Sequence, residues 1–253
     1  MKRLITSLAL TFLLLALLPF GLATGCALEG LLSPLSTEPI PDDPRVKAVV
    51  ERLEPSVVGI RATDRSGLVE EIGLGTGVIV RADGLVVTND HVITMGSDSA
   101  SKEPADRIEV QLQNGDRRRA TVVGRSPSQD LAFLDIDGTD LVPATLVTTL
   151  DEVKEGDLVL AIGKAPMLAR PVTVGEVTAI LRNVDSSWLP GLTTIISSSV
   201  LLAQGNSGGP LADEQGRVIG INVAETVTQG GPGGSLSIPA PIVVEAMKRV
   251  LGD

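Results

Sequence analysis

Aromatic side chains are almost missing from this chain. Of its 253 residues only 2% are aromatic and none is tyrosine; beyond residue 25 just Phe133 and Trp188 remain. A core must therefore be built from Val, Ile, Leu and Ala, and Val and Ile favour strands. Sulfur and imidazole are equally scarce. The single cysteine, Cys26, excludes an internal disulfide. One histidine, His91, and one cysteine cannot supply an ordinary zinc set. Carboxylates alone leave calcium open, and no cofactor is called for. Positive charge is in deficit, with a net charge of -10. Such a surface repels phosphate backbones and argues against nucleic acid as a partner. The one basic cluster, Arg117-Arg118-Arg119, follows "NGD". That is a hairpin signal, and the cluster reads as a solvated strand edge.

What is present begins with an export signal. "MKRLITSLALTFLLLALLPFGLATGC" runs from two basic residues through an apolar stretch, Leu4 to Leu18, to small residues and Cys26. Basic, apolar, small is the order of a cleaved signal peptide. The apolar run falls short of the roughly 20 residues that a membrane-spanning helix needs. Residues 1–25 are assigned to the signal. The stretch "LATGC" resembles a bacterial lipobox, with Ala23 where Leu, Val or Ile is usual, and the resemblance implies a lipid on Cys26. An ordinary signal peptide with a stray cysteine is the alternative. Next comes "ALEGLLSPLSTEPIPDDPR", with four prolines among residues 34–44. Its composition favours an extended tether, residues 26–45, with the folded part starting near Val46.

From Val57 onward short β-rich runs alternate with turn signals: "VVGIRA", "TGVIV", "LVVTN", "RIEVQLQ", "RRATVVG", "LAFLDI", "LVLAIG", "VTVGEVTAIL", "TTIISS", "RVIGINVA". Such recurrence predicts an all-β sandwich or barrel, long enough for two small barrels, about 46–145 and 146–253. The break falls in the acidic connector around Asp140 to Asp157. The only convincing amphipathic helix is "PAPIVVEAMKRVL", with Ile242, Val243, Ala246, Met247 and Val250 on one face.

Three polar residues stand out against this apolar frame. His91 follows the strand "LVV" at the start of a helical turn, Asp130 precedes the strand "LAFLDI", and Ser207 sits in "AQGNSGGPLAD". Each alone has a bland reading: a bonded bystander, a turn cap, a flexible turn. Together they make a set. A serine hydroxyl is a poor nucleophile until a base takes its proton, and an imidazole suits that task near neutral pH. An acid then fixes the imidazole tautomer. The glycines complete the set, because acyl transfer needs donors aimed at the developing oxyanion. Gly205, Asn206 and Ser207 can turn their amides inward, while Gly208 and Gly209 let the chain bend away.

"TNDHV", "SQDLAFLDI" and "GNSGGPL", in that order, resemble the HtrA/Deg branch of the chymotrypsin-like serine proteases, and "LGTGVIV", "VTVGEVTAIL" and "GRVIGIN" match further. The resemblance covers roughly Val49 to Arg249. It implies two perpendicular six-stranded antiparallel β-barrels followed by a C-terminal helix, with the site in the cleft between them. It makes His91 the general base, Asp130 its orienting acid and Ser207 the nucleophile. The amides of Gly205 and Ser207, with Asn206 between, form the oxyanion hole. Protein or peptide substrates are the implied partners.

The departures are specific. No PDZ domain fits after the barrels, so regulation through one is not expected. Pro39 to Ser56 lacks the aromatic residues through which relatives often trimerise, which leaves the oligomeric state open. The family's "TDAAINRGNSGGP" becomes "SSSVLLAQGNSGGP", with Ser199 in place of an aspartate. Leu201 stands where a trypsin-like enzyme carries the acid that selects Arg or Lys. A preference for small or medium aliphatic residues follows, with Leu201, Leu202, Ile221 and Asn222 near the pocket. The connector "IGKAPMLARPVT" lacks the family's Asn-Pro, which leaves the resting state of the oxyanion turn open. The main reading is an exported, membrane-tethered endopeptidase of unfolded or extended proteins in the cell envelope. A catalytically idle binding or chaperone-like module and a processing protease with one dedicated partner are the alternatives.

Overall fold

Alternation along each strand decides which barrel face is packed. The computed structural model describes residues 42–66, 69–94, 103–165, 171–184, 190–226 and 234–252. The leader, Cys26 and nearly all of the proline-rich stretch lie outside the described residues. The first barrel closes in the order β1 (Val57–Ser66), β2 (Val69–Ile79), β3 (Leu85–Thr88), β6 (Leu131–Ile136), β5 (Arg117–Ser126), β4 (Arg107–Gln111). The second closes as β10 (Pro210–Asp213), β11 (Val218–Thr226), β12 (Gly234–Pro239), β9 (Thr194–Ser198), β8 (Val172–Arg182), β7 (Leu158–Ile162). All neighbours within each barrel pair antiparallel. The double barrel expected from the sequence is thus present, and the link between β6 and β7 coincides with the acidic connector.

Three apolar clusters fill this frame. Val58, Ile60, Val86, Ala132 and Leu134 belong to the first interior. Val159, Ala161, Ile196, Leu211 and Ile219 belong to the second. Their sequence neighbours Val57, Val87, Leu131, Phe133, Leu160 and Ala212 point the other way, into a third cluster shared by both barrels. A strand buried on both faces reads as a continuous apolar run rather than an alternating one. That is why "LVV" and "LAFLDI" are unbroken. Phe133, fully buried, sits in this shared layer.

Two helices cover the shared layer. α1 (Pro44–Leu53) has Asp43 as its N-cap, accepting from the Arg45 N–H at 2.8 Å, and Pro44 in its first turn. Val46, Val49, Val50 and Leu53 line its buried face. The helix starts two residues before the expected boundary and takes in a segment read as the end of the tether. It also adds an amphipathic helix that sequence reading passed over. Arg45 reaches Glu214 at 3.1 Å, tying α1 to the β10–β11 turn. The C-terminal helix expected from the sequence is α3 (Ala240–Leu251). It leaves the second barrel and lands on the first. Its buried residues include Val243 and Ala246, as the sequence predicted, and a side chain on Gly124 of β5 would collide with Val250.

Candidate active site

The chain's one histidine is carried by a short helix that follows directly from a buried strand. This helix, α2 (Asp90–Thr94), comes one residue after β3. Asp130 ends the turn Pro127–Gln129, with its own backbone left-handed at φ 53° and ψ 44°. Asp and Asn tolerate that conformation better than other side chains. The reason it is held there is visible in its contacts. Its carbonyl accepts from Asn89 Nδ2 at 2.9 Å and from the Asp90 N–H at 3.2 Å. Its carboxylate accepts the His91 N–H at 2.9 Å through Oδ1 and meets His91 Nδ1 at 2.7 Å through Oδ2. Four contacts from three consecutive residues fix both the ring and its partner. α3 braces the same turn, since Arg249 donates to Gln129 Oε1 at 2.6 Å and Ser126 Oγ at 3.2 Å.

Beside the histidine lies an ion pair that sequence reading missed. Asp90 has no exposed surface. Arg125 meets it with two bonds, Nε to Oδ1 at 2.6 Å and Nη2 to Oδ2 at 2.9 Å. The Arg125 pKa is raised, chiefly by this hydrogen bond to Asp90, with burial acting against it.

Ser207 comes from the second barrel, on the loop before β10. Asn206 N–H donates to the Ala203 carbonyl at 3.0 Å, and Gly205 has φ 102°. Together these describe a type II turn, whose third residue needs a positive φ. The Asn206 amide is therefore committed to closing the turn. This corrects the sequence reading in which it faced the oxyanion. Further amides of the loop are also engaged: Gly208 N–H with Asn222 O at 2.9 Å and Gly209 N–H with Asn206 O at 3.0 Å. Among the described residues no acceptor takes the N–H of Gly205 or of Ser207. The Gly209–Asn206 bond closes a second turn with Gly208 as its third residue, so the chain does bend here, and both glycines also permit close approach. A Cβ on Gly208, at φ 82°, would fall on the Thr76 carbonyl and the Thr88 hydroxyl. One on Gly209 would lie 2.7 Å from the Ile162 carbonyl.

The first barrel presses directly on this turn. The Thr76 N–H donates to the Ser207 carbonyl at 2.9 Å. A Cβ on Gly75 would meet both Val92 of α2 and the Ser207 carbonyl. Ser207 and the His91 helix thus both border one glycine. The Ser207 hydroxyl donates to the Val223 carbonyl at 3.1 Å, while the His91 ring bonds Asp130. The Ser207 hydroxyl and the His91 ring thus each bond a different partner.

The four expected pocket residues separate. Leu201 is 41% exposed, whereas Leu202 is buried in the second interior. Ile221 and Asn222 have 0% exposure. The Asn222 carboxamide is spent inside the barrel, donating to Pro210 O and accepting from Ser237 Oγ, each at 2.9 Å. The Ile221 and Asn222 side chains thus offer no accessible surface and Leu202 little, whereas Leu201 is open.

Relatives with known names share this construction. The family described as "Trypsin-like peptidase domain" matches residues 75–221. A "Probable periplasmic serine endoprotease DegP-like" of Ectopseudomonas mendocina is 36% identical over 186 residues, 73% of this chain and 36% of its own length. "Serine protease HTRA4" of Mus musculus is 36% identical over 189 residues, 73% of this chain and 37% of its own length. The chain thus spans little more than a third of each of these relatives. Among solved structures, "HtrA-type protease AlgW with tripeptide" aligns with a TM-score of 0.68 at 32% identity, covering 81% of this chain and 63% of that one. With a double barrel of this order and likeness over most of its described length, the chain belongs to the HtrA/DegP-type trypsin-like serine proteases.

Proposed function

We propose that the chain is a serine endopeptidase cleaving unfolded or extended proteins, exported and held at a membrane of the cell envelope by a lipid on Cys26. The observation that carries the catalytic part is the pairing of a clamped His91–Asp130 couple with a turn in which the N–H groups of Gly205 and Ser207 have no acceptor among the described residues. In this reading the Ser207 hydroxyl swings from Val223 O to the ring, His91 Nε2 takes its proton, and Oγ attacks the scissile carbonyl. The carbonyl oxygen becomes an oxyanion held by the Gly205 and Ser207 amides. His91 returns the proton to the leaving amine, and water repeats the sequence on the acyl-enzyme. Asp130 Oδ2 keeps the Nδ1–H tautomer throughout.

Labelling with a serine-reactive peptidyl phosphonate tests this reading. Wild type is expected to take the label and Ser207→Ala to take none. The resting bond from Ser207 to Val223 gives a second reading, an idle fold used for binding, and a wild type that stays unlabelled in the presence of substrate-like peptide would favour it. For the tether, the support is the leader and the "LATGC" motif. Cys26→Ser is expected to move the mature chain from the membrane to the soluble fraction, and unchanged retention would rule out lipidation.

A further inference from the structure

We propose that Thr76 is a positioning residue that sets the oxyanion turn from across the barrel interface. The proposal rests on the protease reading above and concerns how its turn is held. Thr76 lies in β2, fully buried, one residue after Gly75 in the "LGTGVIV" motif. Four hydrogen bonds meet on it. Its N–H donates to the Ser207 carbonyl at 2.9 Å. Its hydroxyl donates to the Gly205 carbonyl at 2.7 Å and accepts the Lys164 N–H at 2.9 Å. Its carbonyl accepts from Thr88 Oγ1 at 2.7 Å.

The direction of the hydroxyl bond is not free. An N–H can only donate, so Lys164 occupies a lone pair of Oγ1 and leaves the hydroxyl proton for Gly205 O. The turn consists of four successive peptide planes. Thr76 grips the carbonyls of the Gly205–Asn206 and Ser207–Gly208 planes. The planes between and before them carry the N–H groups of Ser207 and Gly205, the two without acceptors. The gripped planes fix the Cα atoms that they share with the N–H-bearing planes, both ends of the Ser207 N–H plane and one end of the Gly205 N–H plane, which limits how those planes can turn. Thr76 therefore restricts where the two open donors can point without touching substrate itself. Lys164 lies just after β7, so the same hydroxyl also ties the turn to the connector that departs from the family pattern.

Thr76→Val keeps the shape and the backbone donor but removes the hydroxyl, leaving Gly205 O and the Lys164 N–H without it. In the full chain, kcat on a peptide substrate is expected to fall about 10–100-fold, below the loss for deleting an oxyanion donor outright. KM should stay within about twofold, since substrate side-chain contacts are untouched. Affinity for a peptidyl boronate, which mimics the tetrahedral state, should fall by the same factor as kcat. Thr76→Ser restores the hydroxyl and should recover most of both losses. A purely structural role would lower the melting temperature without splitting kcat from KM. Should Thr76→Val fail to fold, Thr76→Ala against Thr76→Ser carries the same comparison. Labelled wild type with Thr76→Val at its rate overturns the proposal alone, as do equal losses from the Val and Ser replacements. Wild type without a Ser207-dependent label sinks the protease reading and the proposal with it.

Discussion

Asp130→Asn is expected to lower kcat about 10⁴-fold while the fold and KM hold, a loss typical of forcing the wrong imidazole tautomer. The carboxylate does two jobs with two acceptors, taking the His91 backbone N–H on Oδ1 and facing Nδ1 on Oδ2. A carboxamide has one acceptor only. If its oxygen takes the backbone N–H, its NH₂ must face Nδ1 and makes that nitrogen an acceptor. The proton then sits on Nε2, where the base should be free. Folding should survive, because Asn tolerates the left-handed backbone of position 130 as Asp does. Active-site titration, steady-state kinetics and a thermal melt together check this. A kcat within tenfold of wild type would mean that Asp130 does not govern the ring.

Arg125→Met is expected to be among the most destabilising single changes in the first barrel. It strands the Asp90 carboxylate at 0% exposure without its two-bond partner. Breaking a buried pair from one side costs about 3–5 kcal/mol, which for a domain of this size lowers Tm by roughly 10 °C. The cost comes from the orphaned charge rather than from a lost attraction, so removing both partners should hurt less than removing one. Asp90→Ala combined with Arg125→Met is expected to melt above Arg125→Met alone. Thermal and urea melts of the three variants measure this. A double variant no more stable than the single would show that Arg125 acts through its other contacts.

The parts legible in the sequence were those written locally. Apolar runs and turn signals marked strands, and "LAFLDI" and "LVLAIG" stood on either side of the acidic connector between barrels. His91, Asp130 and Ser207 each sat in a distinctive setting at a strand end or in a glycine turn. α1 was hidden by its surroundings: the acids and prolines of "PIPDDPR" suggested a tether. Yet Asp followed by Pro is also a helix start, and Val46, Val49, Val50 and Leu53 carry the helical spacing. Thr76 was passed over because its partner Gly205 is 129 residues away, and no periodicity links residues so distant. The Asn206 amide was misjudged for a different reason. Composition says that a turn occurs at Ala203–Asn206 but not which N–H closes it. Ile221 and Asn222 are expected near the pocket, but Ile221 packs into the shared apolar layer and the Asn222 carboxamide bonds Pro210 and Ser237 of neighbouring strands, contacts that a linear sequence does not display.

Each barrel is closed on itself, so neither depends on the other for its hydrogen-bonded sheet. The residues proposed to react are nevertheless divided between them, with His91 and Asp130 on one side and Ser207 on the other. What joins the halves is the shared apolar layer, the Thr76–turn bonds and a helix that crosses from the second barrel to the first. A slip of about an ångström along that seam would misalign the reacting atoms enough to cost on the order of 100-fold in rate, with both sheets intact. On the proposed mechanism, hydrolysis is in that sense a property of the seam. Loss of turnover would precede loss of β-structure on gentle heating, and spectroscopy of the sheets alone would not register it.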